Sequence, residues 1–389
     1  MRPKQLRSAA LAAVMIAATS PATADPINTK AELGELLFFD TELSRDRTQA
    51  CASCHSPETG FSDPNGTRLG WSSSLGDDGE SLGGRNAPTA TYAAFSPRFH
   101  QRADGVYVGG QFLDGRESDL AGQAGGPPLN PAEMAMPSKA AVVARLLENP
   151  DYVVSFKSLF GAEVFEDSEQ TYTAMSEAIA AFEQTEIFAP FDSKYDRYLR
   201  GEAQLTREED LGRVLFFSQQ FTNCNLCHKL RDSEVDQTET FSNYEYHNIG
   251  VPPNTALEAK LGAPVADRGL LDNPAVNDPA QAGKFKVPTL RNVAVTGPYM
   301  HNGVFQDLRT VILFYNKYNS RSEKRQINPE TGQVWQAPEV AGTLSLKELE
   351  TGPALEDERI DALVAFLRTL TDARYEPLLQ ELDEERAAQ

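Results

Sequence analysis

In 389 residues the chain has only four cysteines, five histidines and two tryptophans. So few thiols exclude a fold stapled by many disulfides, and a chain of this length must instead be held by buried apolar side chains. Beyond the N-terminal segment no apolar run is long enough to span a bilayer, so the chain is not expected to be membrane-spanning. Positive charge is also short. Lysine and arginine number 36 against 56 aspartates and glutamates, a net charge of −20. That surplus argues against nucleic acid as a partner and favours a basic protein drawn to an acidic face. No convincing set of strands emerges, so the expected class is mainly α.

All four cysteines fall in two pentapeptides, Cys51-Ala-Ser-Cys54-His55 and Cys224-Asn-Leu-Cys227-His228. The CxxCH pattern places two thiols one helical turn apart, suited to thioether bonds with a porphyrin edge, and sets an imidazole beside them to reach the iron. Zinc is a poor alternative, because paired CxxC ligands usually lie roughly 15–20 residues apart. Redox disulfides would leave both histidines unexplained. The expected cofactors are therefore two covalently bound haem c groups, with His55 and His228 on iron.

Residues 1–24 have a basic start (Arg2, Lys4, Arg7), an apolar stretch from Ala9 to Ala18, and Ala22-Thr23-Ala24 before Asp25. This reads as a cleaved secretory signal, cut after Ala24. Haem attachment at CxxCH after export implies a periplasmic protein. Cleavage removes three basic residues and no acidic ones, taking the net charge from −20 to −23.

The chain repeats itself. Gly34-Glu-Leu-Leu-Phe-Phe39 leads into the first CxxCH, and Gly212-Arg-Val-Leu-Phe-Phe217 leads into the second. Each reads as an amphipathic helix opening a cytochrome c-like domain, so two tandem domains are expected, 25–203 and 204–389, meeting at a di-haem interface. Thr171 to Phe188 has apolar residues at helical spacing (Tyr172, Met175, Ile179, Phe182), and residues 191–202 form a polar connector. A last helix over 356–370 presents Ile360, Leu363, Val364 and Leu367 on one face. The stretches 56–90, 104–138 and 250–284 are rich in Gly, Pro, Asn and Asp and read as long ordered loops.

Four segments in order then carry a resemblance. They are Arg85-Asn-Ala-Pro-Thr89; Phe112-Leu-Asp-Gly-Arg116 with Gln123, Pro127 and Glu133 downstream; Lys286-Val-Pro-Thr-Leu-Arg-Asn292; and Pro298-Tyr-Met-His-Asn-Gly303. With two haem motifs, this order resembles the bacterial di-haem cytochrome c peroxidase and MauG family over essentially the whole mature chain. The resemblance makes the haem on Cys51, Cys54 and His55 the peroxide-binding centre, with Gln123 and Glu133 on its distal side. Glu133 would move a proton between the oxygens of H2O2, and Gln123 would hold peroxide or water. Peroxidases of the family close this site with a histidine in the loop after the first CxxCH. Residues 56–99 contain none and the matching stretch is Gly70-Trp71, so the site is expected to be open. His100 reads as a surface or structural residue.

The resemblance also places the distal ligand of the second haem fourteen residues after His301, at Tyr315. Peroxidases of the family have methionine there and MauG has tyrosine, whose oxygen lowers the iron potential. Met300, the only methionine in the second domain, is the second candidate. A calcium ion between the haems is implied, on Asn86, Thr296 and Pro298. His301 reads as structural and His247 is unassigned. Two departures stand out: Leu113 occupies the place of an inter-haem tryptophan, leaving Phe112, Tyr107 or direct tunnelling, and Thr222 that of a surface tryptophan. Thr222 reads against the methylamine dehydrogenase precursor as substrate. The expected function is a periplasmic oxidoreductase that uses H2O2 to form a high-valent di-haem state and oxidises a side chain of an exported protein. The alternatives are a peroxidase fed by a small cytochrome c or cupredoxin, and a non-enzymatic electron-transfer cytochrome.

Overall fold

The computed structural model describes residues 27–229, 236–262 and 266–388; the signal-like segment 1–24 lies outside them. The first helix, α1 (Lys30–Phe38), starts where Thr29 and Glu32 cap each other, and it buries Leu33, Leu37 and Phe38. The first haem motif forms the single turn α2 (Cys51–Cys54). Asp119 caps α3 (Leu120–Ala124), which carries Gln123, and Asp167 caps α4 (Ser168–Glu183), which buries Tyr172, Met175, Ile179 and Phe182. Both α1 and α3 pack on α4. Gly34 makes the first crossing feasible: a Cβ there would lie 1.9 Å from the Ala178 carbonyl oxygen.

After a short helix α5 (Lys194–Leu199) the second half repeats this construction. Helix α6 (Arg207–Phe217) has the same reciprocal cap, Thr206 with Glu209. It crosses α8 (Asp357–Arg368) at Gly212, where a Cβ would come within 1.8 Å of the Ala362 carbonyl oxygen. Between them α7 (Leu308–Asn316) carries Tyr315. In α8, Ile360, Leu363 and Leu367 are buried as their spacing predicts, while Val364 is only partly buried.

The repeat extends further than the sequence reading went. Phe61 and Phe241 both have positive φ, 50° and 56°. Thr89 donates its hydroxyl to the Gly60 carbonyl at 2.5 Å, and Thr289 does the same to Thr240 at 2.7 Å. Tyr92 and Asn292, at φ 60° and 61°, each open a 3₁₀ turn, Ala93–Phe95 and Val293–Val295. These loops are where the halves meet.

Strand content among the described residues is limited to three two-residue antiparallel ladders and isolated bridges, so the class is mainly α. The long loops differ from the expectation in one respect: they hold short helices at Pro64–Leu69, Leu120–Ala124 and Thr255–Leu261. Each is started by an Asp or Asn cap and is too short to show a 3.6-residue period. The connector packs with the second half. Phe188 belongs to the first core, whereas Tyr195 sits in the second and its N–H donates to the Thr369 carbonyl at 3.0 Å.

Candidate functional site

The two CxxCH motifs are built alike. In each, the His backbone N–H closes a turn onto the first cysteine, His55 to Cys51 and His228 to Cys224, both at 2.9 Å. The imidazole Nδ1 then faces a backbone carbonyl, Phe61 for His55 and Phe241 for His228, at 3.1 Å in both cases. With Nδ1–H donated there, Nε2 is left as the free ligand atom. The positive φ of each Phe turns its carbonyl toward the ring. Burial lowers both imidazole pKa values, His228 to about 4, and keeps them in the neutral form that binds iron. None of the four cysteines is taken up in a disulfide, as thioether formation requires.

Around the second motif lies a cavity of about 280 Å³ lined by Cys224, Cys227, His228, Tyr315 and Met300, with apolar Leu308, Ile312, Leu363 and Leu367. A predominantly apolar cleft with two thiols and an imidazole fits a covalently held porphyrin. Tyr315 and Met300 both line it, so the structure brings both candidate ligands to the same cavity. Burial raises the Tyr315 phenol pKa, and ionisation would need a metal to favour it. His247 also lines the cavity, its Nε2 3.7 Å from the Glu245 carboxylate.

At the first motif, the Asn130 amide donates to Glu133 Oε1 at 2.6 Å and orients that carboxyl. Glu133 lies close enough to Cys51 and Cys54 for its charge to add to the burial that raises both thiol pKa values. Burial raises its pKa, partly offset by the Asn130 hydrogen bond and the Arg116 charge. Gln123 lies one turn before the loop that returns to Glu133; within it Met134 N–H donates to Pro127 and Met136 N–H to Pro128, at 3.3 and 2.8 Å. Asn130 escaped the sequence reading, although its place three residues before Glu133 is a usable signal.

Several other expected residues are now located. The Asn86 amide donates to the Pro298 carbonyl at 2.6 Å, and Thr296 lines the same wall, its hydroxyl bonded to the Asn292 carbonyl at 3.1 Å. His100 is exposed. His301 is buried, paired with Glu339 at 3.1 Å and stacked on Phe285 at 3.8 Å. Leu113 is part of the second cavity wall, beside Lys286, whose pKa burial lowers to about 7. Thr222 is buried, its hydroxyl donating to the Leu215 carbonyl at 2.6 Å. The exposed aromatic at this edge is Phe221, 40% exposed, with the Arg359 guanidinium 5.4 Å from its ring centroid.

Residues 28–204 match the family model of di-haem cytochrome c peroxidase. Over 390 aligned residues the chain is 56% identical to the methylamine utilization protein MauG of Paracoccus denitrificans, covering 99% of both chains. The chain belongs to the di-haem cytochrome c peroxidase and MauG family. It is 30% identical to the cytochrome c551 peroxidase of Nitrosomonas europaea, over 92% of this chain and 83% of that one. The crystal structure of the diheme peroxidase BthA from Burkholderia thailandensis superposes with a TM-score of 0.78 at 35% identity, covering 91% of this chain and 88% of the other. As a member of this family the chain is a haem-dependent oxidoreductase of the peroxidase type with haem c as its cofactor. Among the described residues no helix is long and apolar enough to cross a membrane.

Proposed function

We propose that this chain is an exported, periplasmic MauG-like enzyme that spends the oxidising power of H2O2 on a side chain of a protein partner. The observation that carries this reading is Tyr315, a phenol in the cavity that also holds His228, at the position that separates MauG from peroxidases in the resemblance. The full-length identity of 56% to a MauG protein points the same way.

Bound haem supplies the iron at which peroxide is reduced. Glu133, held by Asn130 in a site where burial raises its pKa, would take the proton from one peroxide oxygen and return it to the other, so that one leaves as water. Gln123 orients the bound oxygen species from α3. Tyr315 would hold the second haem's iron through its phenol oxygen, in the cavity it shares with His228. Asn86, Thr296 and Pro298 would hold a calcium ion through oxygen donors, with the Asn86 amide turned so that Oδ1 replaces the N–H that now meets the Pro298 carbonyl. We take 25–203 and 204–389 as the two domains, with the connector docked on the second. Phe221, exposed one residue before the buried Thr222, is the aromatic available at this edge to meet the partner.

Adding H2O2 to the purified diferric protein tests the reading. A long-lived oxidised spectrum shared by both haems, without added donor, supports it. Rapid turnover with reduced cytochrome c and no such state favours the peroxidase instead. Replacing Tyr315 with Phe should change the low-spin spectrum of the second haem; an unchanged spectrum would assign the ligand to Met300.

A further inference from the structure

Tyr92 is 1% exposed and lies where the two halves meet, between the loops that orient the two histidines. On one side its N–H donates to the Phe188 carbonyl at 3.0 Å, the Phe188 ring packs on Phe61 at 4.1 Å, and the Phe61 carbonyl faces His55. On the other, the Arg291 guanidinium lies 4.9 Å from the Tyr92 ring centroid and 5.6 Å from that of Phe241, whose carbonyl faces His228. Packed contacts therefore link Tyr92 to both of the loops whose carbonyls orient the proximal histidines.

Its hydroxyl has a built-in proton acceptor. It donates to Asp372 Oδ1 at 2.7 Å and accepts the Phe191 N–H at 3.1 Å. Asp372 is fully buried, and its second oxygen accepts from Asn292 Nδ2 at 2.8 Å. Burial lifts the Asp372 pKa to about 6 against the opposing effects of Tyr92, Asn292 and Arg291, so this carboxylate is more basic than an ordinary one. An oxidised phenol is a strong acid, and in a dry site its oxidation is prohibitive unless the proton has somewhere to go. Arg291 is already neutralised by a bidentate pair with Asp196, at 2.7 and 2.9 Å. Arg291, Asp196 and Asp372 together carry one negative charge, so a positive hole is welcome there.

We propose that Tyr92 is a redox relay between the halves: a peroxide-oxidised haem withdraws one electron from its phenol while the phenolic proton passes to Asp372. The O–H bond of Tyr92 breaks, a carboxylic O–H forms on Asp372 Oδ1, and the iron is reduced by one equivalent. The neutral phenoxyl radical and neutral acid revert when an electron returns from the other haem or the partner. Neither Phe112, whose ring lies 3.6 Å from the Arg116 guanidinium, nor Tyr107, stacked on Phe99 at 5.7 Å, has a hydrogen-bonded carboxylate in position.

The inference rests on the proposed peroxide chemistry, and one experiment separates the two. The haem-loaded full chain is mixed with H2O2, freeze-quenched and read by electron paramagnetic resonance, as wild type, with a fluorotyrosine in place of Tyr92, and as Tyr92→Phe and Asp372→Asn. Expected are a tyrosyl radical signal with fluorine splitting in the fluorotyrosine protein, its loss in Tyr92→Phe, and a diminished signal in Asp372→Asn. The resting haem spectra should not change. Peroxide-oxidised haem without fluorine splitting, or an unaltered radical in Tyr92→Phe, overturns the relay and leaves the proposed function standing. Haem spectra that do not respond to peroxide in the wild type overturn both. The fluorotyrosine protein keeps the native hydroxyl, so the result does not depend on how well the Phe variant folds.

Discussion

Two buried carboxyls near Cys51 do different work. Glu133 has a hydrogen-bond partner in Asn130, while Glu183 on α4 has a side-chain oxygen buried without one. Replacing Glu133 with Gln keeps the shape and removes the transferable proton. The rate of haem oxidation by H2O2 should fall on the order of 10²–10⁴-fold, measured by stopped flow, with the resting spectrum unchanged. Glu183 is a stability group. Burial pushes its pKa up to about 8, from an ordinary value near 4.5, so the folded state holds a proton that the unfolded chain releases. Its contribution is fully present below about pH 4.5 and is lost as pH rises toward 8. Denaturant titrations from pH 4 to 9 should show wild-type stability falling through that window relative to Glu183→Gln, by on the order of a few kcal/mol. Parallel curves for the two proteins would remove Glu183 from the account. The haem residues were legible because CxxCH is local and chemically specific. What orients them was not, because the acceptors are backbone carbonyls of Phe61 and Phe241, and any residue has a carbonyl.

At the scale of elements, the protein is held by two glycine-mediated crossings, α1 on α4 and α6 on α8. The repeated Gly-x-x-Leu-Phe-Phe pattern marks one helix of each crossing in the sequence. The other member has no such signature: Ala178 and Ala362 matter for their carbonyl oxygens, more than 140 residues away in chain, a relation that only tertiary packing creates. Gly34→Ala adds a Cβ within 1.9 Å of the Ala178 oxygen and must push α1 off α4. Overpacking of this kind costs about 1–3 kcal/mol or more, and because backbone is the obstacle the upper end is expected. Thermal denaturation of the haem-loaded variant should show it; an unchanged midpoint would mean the crossing can relax. The sequence reading found the helices that hold Gly34 and Gly212 and those over 171–188 and 356–370, but it missed Lys139–Glu148 and Pro150–Phe160, and 356–370 is not the last helix, since Glu376–Ala387 follows it. The helices 64–69 and 255–261 were hidden in loop-like composition because a Pro or Asn start and a Gly stop leave under two turns.

At the scale of the whole molecule, the halves are joined by charge as well as by apolar contact. Arg85 pairs with Asp114 and with Asp267, both at 2.6 Å, and Arg291 with Asp196 at 2.7 Å. The second pair is more consequential, because Arg291 and Asp196 side chains are 1% and 0% exposed. It ties the connector helix α5 to the loop that stacks on Tyr92 and Phe241, and so fixes how the two haem-bearing halves sit. Exposed pairs such as Lys139 with Glu169 contribute little by comparison, since water screens them. Arg291→Met removes the cation and leaves the Asp196 carboxylate buried with, among the described residues, Ser193 to bond it. That uncompensated charge should cost about 3–5 kcal/mol in a denaturant titration. Adding Asp196→Leu removes the stranded charge, so the double variant should recover much of the loss while losing the fixed docking of the connector. Recovery of stability without recovery of redox communication between the haems would show that the pair serves alignment more than cohesion; a double variant as unstable as the single one would mean that the guanidinium's packing on Tyr92, Phe191 and Phe241 carries the energy.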